Sequence, residues 1–285
     1  MAVETTQILS SILYGLIEGS LYGLLGVGLS LALGVMKIIN LAHGPLAVLG
    51  AYLFFSFIAY LGILPVASAL LSLVVVSVIG LVIYLCLIDR IVTVESSTLI
   101  VTYGLEIVIG NLLLSMFTGA TRTVDLELGS LNIGGIFIGL NRLLALVVAF
   151  TSIIVLDFVS KKTYLGKAMR ATAEDIEAAE LMGVNTRKIY ALSYLLCAFL
   201  AALFGLCFIT THSVDPLTGS LLNIKAFTIT VLSGGNLGLA LAAGLLLGFS
   251  EIILTTFVIP TAYQHIIAFA ILLIVLTTMY RRKRE

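Results

Sequence analysis

Three carboxylates fall inside otherwise apolar stretches of the sequence: Glu18, Glu106 and Glu251. An ionisable side chain in such surroundings is costly in lipid and normally faces protein or water, where it meets a partner, a proton or a passing solute. Glu18 shares a helix face with Tyr22, and Glu106 lies near Asn111. Each carboxylate has two readings, an interhelical hydrogen bond and a place on a solute path. His43, beside Asn40 and Gly44, has the same two readings. Catalytic chemistry is not visible. Gly166-Lys167 lacks the upstream glycine and following Ser/Thr of a phosphate-binding loop. His43, His212 and His265 lie too far apart for zinc spacing. No Ser/His/Asp set occupies a nucleophile-elbow context. An enzyme is disfavoured, and no metal or cofactor site is expected in this chain.

The elements that must position these residues are membrane spans. Hydrophobic residues make up 60% of the 285, charged residues 11%, and the mean hydropathy is +1.20. Ile38–Ile88, Ile189–Val214, Ala226–Ser250 and Ile252–Tyr280 contain no Asp, Glu, Lys or Arg. About 20 apolar residues cross the hydrocarbon core as a helix, so the expectation is an all-α polytopic membrane protein forming one transmembrane domain over residues 1–285. About eight spans are expected: Ile8–Leu33, Pro45–Leu61, Leu64–Ile88, Ser97–Phe117, Leu143–Ser160, Ile189–His212, Leu237–Ile259 and Tyr263–Tyr280. The first is read as a retained helix, having no basic region ahead of it and no small-residue cleavage site. Two further pieces, Gly34–Gly44 and Asn223–Asn236, are expected to be re-entrant or broken helix around a path, which places Asn40, His43, Ser233 and Asn236 with Glu18, Tyr22, Glu106 and Glu251 as path candidates. Cys86, Cys197 and Cys207 sit in spans and read as small buried hydrophobes. Zero net charge implies no nucleic-acid partner; the partner that composition does imply is lipid.

Gly15, Gly19 and Gly23 on the first span, and Ala240, Gly244 and Gly248 on the seventh, repeat at four residues and mark faces for close helix approach. Lys/Arg bias puts the loop 161–188 and the Arg281–Arg284 tail in the cytosol, and the Gly-rich segment Thr118–Asn141 outside. Eight alternating spans cannot satisfy both basic clusters, so Asn223–Asn236 is expected to add a crossing.

The loop 161–188 holds ten of the thirty charged side chains. Thr172 is a candidate N-cap with Asp175 three residues on, Glu177 adds charge to the first turn, and Gly183 fits the position just past a helix C-terminus. The pattern predicts one cytosolic helix of about three turns.

Gly34-Val35-Met36-Lys37-Ile38-Ile39-Asn40-Leu41-Ala42-His43-Gly44, followed by Leu49-Gly50-Ala51-Tyr52, resembles the signature of inner-membrane permeases of branched-chain amino acid ABC importers. Ile100–Leu105, Gly166–Ala171, Met182–Asn185, Asp215-Pro216, Lys225–Phe227 and Val231–Gly235 continue the resemblance in order along nearly the whole chain. Pro45, Gln264-His265 and the Arg-rich tail depart from the pattern. The resemblance implies a subunit of a bacterial or archaeal inner membrane. It would work with a second permease or a second copy, two cytosolic ATPases that bind ATP and Mg, and an extracytoplasmic binding protein. It also implies that Glu177, Ala178, Ala179 and Gly183 belong to a coupling helix seated on an ATPase. The resulting expectation is an importer of branched-chain or other hydrophobic amino acids. Its rivals are a urea or short-amide permease of the same family, an ion-coupled secondary transporter using Glu18, Glu106 or Glu251, and a membrane assembly protein.

Overall fold

The computed structural model describes residues 2–92, 95–133, 135–260 and 263–282. Each expected span is a helix. These are α1 (Ala2–Met36), α2 (His43–Ala59), α3 (Pro65–Ile83, prolonged by a π-helical turn Tyr84–Ile88), α4 (Glu95–Phe117), α5 (Leu140–Lys162), α8 (Thr186–Ile209), α10 (Leu237–Phe257) and α11 (Gln264–Arg282). Between α5 and α8 lie α6 (Tyr164–Glu174) and α7 (Ile176–Leu181), and α9 (Thr218–Ser233) precedes α10. The segment expected outside folds partly into an antiparallel hairpin, β1 (Ser130–Ile133) with β2 (Ile136–Gly139), in register Ser130 to Gly139.

Local chemistry fixes the ends. Pro65 opens α3, where its missing N–H costs nothing. Asn185 and Asn236 cap α8 and α10 by accepting from the N–H groups of Lys188 (3.0 Å) and Gly238 (2.9 Å). Gly234, at φ +59°, closes α9 in a left-handed conformation that a side chain disfavours.

Two helices act as hubs. α1 is surrounded by α5, α8, α9 and α10, and Leu21, Leu24, Leu25 and Val27 are sealed from solvent. Each glycine stripe is a face of close approach, as expected, and the two stripes meet each other: a Cβ on Gly19 would lie 2.6 Å from Leu245 Cα, and one on Gly244 would overlap the backbone of Gly23. α8 is the second hub, approached by α2 at Gly50 and Gly205 and by α3 at Gly80. Side-chain bulk at these crossings would force the backbones apart, so the absence of Cβ atoms sets the interhelical distance.

Both segments expected to be irregular are more regular than composition suggested. Gly34-Val35-Met36 completes α1 and His43-Gly44 begins α2, which leaves only residues 37–42 without helix. Asn223–Leu232 lies within the regular helix α9. Its polar residues are there to serve the neighbouring break rather than to break a helix themselves. The Asn223 side-chain amide donates to Leu41 O and its Oδ1 accepts from Gly44 N (2.6 Å), while Thr102 on α4 donates to Ile39 O (3.3 Å). Backbone outside a helix at this depth needs such partners. Cys197 and Cys207 are buried as expected; Cys86, in the π-helical turn, is exposed instead.

α9 also resolves the topology. Lys225, Ile229 and Thr230 follow Tyr22 and Gly26 in the same order, so α9 runs parallel to α1. α10 runs antiparallel to α1, pairing Gly15 with Phe249 and Gly23 with Leu241. Thr228 meets Ala268 on α11, one turn after the level of Lys225. At 16 residues α9 is only about 24 Å long, short for a span, yet it returns the chain to the side where α1 ends. α10 then leaves that side and α11 comes back to it, so the end of α11 at Arg282 and the 161–188 loop share one face.

Gly244→Val is expected to lower the melting temperature of the detergent-solubilised protein, with overpacking costing about 1–3 kcal/mol. Gly104→Ala, where a Cβ meets nothing within 4 Å, should leave melting unchanged or raise it slightly.

Candidate functional site

The loop 161–188 is two helices instead of one. Thr163 caps α6 by accepting from Gly166 N (3.2 Å). Thr172 is not an N-cap: it is buried in the last turns of α6, and its hydroxyl donates to Ala168 O (2.9 Å). Asp175 takes the capping role. It sits in extended backbone between the helices, and its Oδ1 accepts from Ala178 N (3.0 Å). A carboxylate cap at an exposed junction competes well with a hydroxyl, so the helix expected from Thr172 to Gly183 starts only after Asp175 and is six residues long, with the separate eleven-residue α6 ahead of it. Gly183 behaves as expected. At φ +81° it follows the last turn, its N–H donates to Glu180 O (2.9 Å), and Val184 N donates to Ala179 O (3.0 Å), the bond pair of a Schellman ending.

This geometry turns α7 into a rigid prominence. Ala179 packs inward, while Glu177 and Ala178 face solvent and Leu181 and Met182 stand 88% and 85% exposed at the tip. Two adjacent large apolar side chains are thus left in solvent at the tip of the loop. The base of the loop is pinned to the bundle. Thr186 donates to Glu180 Oε1 (2.6 Å), and Arg187 at the start of α8 holds Asp89, beyond α3, through two bonds of 3.0 and 2.6 Å. Behind it opens a cavity of ≈ 470 Å³ reaching Lys37 at the end of α1.

Within the spans, the structure brings two of the three sequence-read carboxylates into one buried polar array. Glu251 on α10 contacts Lys225 Nζ on α9 at 2.8 and 2.9 Å. Lys225 also donates to the Tyr22 hydroxyl on α1 (2.6 Å) and lies 4.1 Å from its ring centroid. Glu18, one turn earlier on α1, faces His212 Nε2 at 3.0 Å. Sequence reading gave Glu18 and Tyr22 a common face but took Lys225 only as part of a motif and His212 only as a poor zinc ligand. The available signal was Lys225 itself, a lone charge between two uncharged runs.

The other candidates lie apart. His43 is sealed between Leu25 O (3.0 Å) and Cys197 Sγ (3.3 Å), against Gly28. Asn40 braces the break by accepting from Ala42 N (3.1 Å). Ser233 is buried against Ser30 and Thr230. Asn236 caps α10 beside a smaller cavity of ≈ 320 Å³. Glu106 stands half-exposed on α4, in a groove whose lining also includes Pro45 and Gly219.

Residues 11–276 match the family model described as branched-chain amino acid transport system / permease component. The chain belongs to this family. The permease is 30% identical to the high-affinity branched-chain amino acid transport system permease protein LivH of Salmonella typhimurium, over 98% of its own length and 96% of LivH. It is 29% identical to BraD of Pseudomonas aeruginosa over 96% and 94% of the two chains. Its fold matches PsaBC from Streptococcus pneumoniae, solved in complex with Fab, at a TM-score of 0.54 and 14% identity, covering 96% of the permease and 95% of that chain. The permease is thus a multi-pass inner-membrane transport protein of the ABC permease fold, and among the described residues six helices are long and apolar enough to cross a membrane.

Lys225→Met is expected to destabilise the permease by about 3–5 kcal/mol, because Glu251 is left charged and unpaired in the interior. The double variant Lys225→Met, Glu251→Leu should recover much of that loss in the same melting measurement.

Proposed function

We propose that the permease carries branched-chain or closely related hydrophobic amino acids inward, as the membrane subunit of an importer whose ATP is hydrolysed on separate cytosolic subunits. The observation that carries this reading is end-to-end similarity to LivH and BraD together with the projecting α7. The binding protein outside supplies selectivity. A second permease, or a second copy, completes the membrane part, and two ATPases binding ATP and Mg supply the work.

In this mechanism α7 is the coupling helix, with Asp175 and Gly183 fixing its ends and Glu177, Ala178, Leu181 and Met182 offered to an ATPase. Closure of the ATPase pair moves α7 as a unit. Its motion passes through Gly183–Asn185 into α8, and through the Arg187–Asp89 pair into α3. Helices packed through glycine, with little interlocking side-chain bulk, can shift against one another. Ion-coupled transport fits less well, because Glu251 and Glu18 already have cationic or ionisable partners in Lys225 and His212.

In proteoliposomes holding the assembled transporter and its binding protein, leucine uptake is expected to require ATP and to persist with a protonophore. Uptake of urea but not leucine would overturn the substrate class, and uptake without ATP would overturn the mechanism. Leu181→Asp with Met182→Asp should reduce uptake by about tenfold or more, the loss of a well-buried contact. Melting should be nearly unchanged, since both side chains lie in solvent. Wild-type uptake in that variant would remove α7 from the mechanism.

A further inference from the structure

Among the described residues, the outer faces of the spanning helices are mostly apolar, and α4 departs furthest from that. On α3 the exposed positions are Val66, Leu70, Val74, Val78 and Val82, and on α5 they include Val147, Ile154, Val155 and Phe158. These are surfaces for lipid chains. α4 differs. Tyr103 is 55% exposed, Asn111 is exposed and Glu106 is half-exposed, with Ile107 and Gly110 between them. At the helical period these residues form one connected face. They line a groove of ≈ 160 Å³ whose far side is Pro45, in the first turn of α2, with Pro216, Leu217, Gly219 and Ser220 at the start of α9.

Glu106 is the twelfth of 23 residues in α4, about 16 Å from either end. That is the middle of the hydrocarbon layer, beyond the reach of snorkelling. Among the described residues no cation lies within ion-pair distance of it. Asn111 donates to Ile107 O within its own helix (2.8 Å) and offers its carbonyl outward. A carboxylate, an amide and a phenol on an open face at this depth need water, and water at mid-membrane belongs to a path.

We propose that the groove between α4 and the start of α9 is the water-facing wall of the translocation path, and that the Glu106 carboxylate receives the α-ammonium group of the transported amino acid. The ligand class is a zwitterion with an aliphatic side chain. Glu106 is the complement of its cation, and Ile107, Leu217 and Pro216 are apolar neighbours for its side chain. A second permease subunit supplies the opposite wall. The inference rests on the import function proposed above, but its first test does not.

In a Cys86→Ser background, Ile107→Cys on the groove face and Leu112→Cys on the opposite exposed face of α4 are treated, in the assembled transporter in membrane vesicles, with a charged methanethiosulfonate reagent. Thiolates react and thiols in lipid do not, so Ile107→Cys should label at least about tenfold faster, and leucine with ATP should slow it. Equal rates would overturn the proposal, whatever the uptake result; fast labelling in a transporter that does not carry leucine would overturn the substrate class while leaving the wall in place. Glu106→Gln should then reduce leucine uptake by about tenfold, the scale of one charged hydrogen bond, with Glu106→Asp retaining most of it. Wild-type uptake by Glu106→Gln would remove the ammonium contact.

Discussion

A lysine cannot remain charged in the interior of a membrane protein without a partner, and the placement of Lys225 governs the core of this permease. Glu251 neutralises it, Tyr22 accepts one of its protons and offers a π face, and the three residues come from α9, α10 and α1. The arrangement holds a 16-residue helix, short for a full span, against the central helix. Asn223, two residues earlier on α9, then lies where it can satisfy the broken backbone leading into α2. One satisfied charge thus underwrites both the added crossing and the non-helical link 37–42. Such a pair contributes little net stability when intact, since its attraction is spent on desolvation; its weight appears when one partner is lost.

Around that core the chain uses small residues where motion or close approach is needed and polar anchors where rigidity is needed. α1 and α10 touch glycine to glycine, and α8 receives α2 and α3 in the same manner. At the end of the bundle that carries α7, by contrast, the Asp89–Arg187 and Glu180–Thr186 bonds and the cap at Asp175 hold the α7 loop. A braced loop on a bundle of smooth contacts suits the coupling role proposed for α7.

Much of this was legible in the sequence. Hydropathy located eight helices because lipid imposes length and apolarity together. The four-residue glycine spacing marked the close-packing faces of α1 and α10, though not that they face each other, and Gly183 marked where α7 ends. The failures share a cause. Asn223 and Ser233 were read as signs of broken backbone, yet their side chains serve other segments, and a polar residue in a span does not say whose backbone it satisfies. Thr172 and Asp175 were both chemically able to cap, and only the fold decides which is buried. The pairing of Glu18 with His212, and of Glu251 with Lys225, joins residues distant in sequence, which no periodicity reveals. Glu106, read near Asn111, lines a groove with it on α4.

The most direct test of the account is contact at α7. A photo-crosslinking amino acid at position 181, in the assembled transporter, is expected to form a covalent adduct with the ATPase subunit, in a yield that changes between nucleotide-free and ATP-bound states. Crosslinking to lipid or water alone in both states would contradict the claim that this helix carries the work of ATP hydrolysis into the membrane.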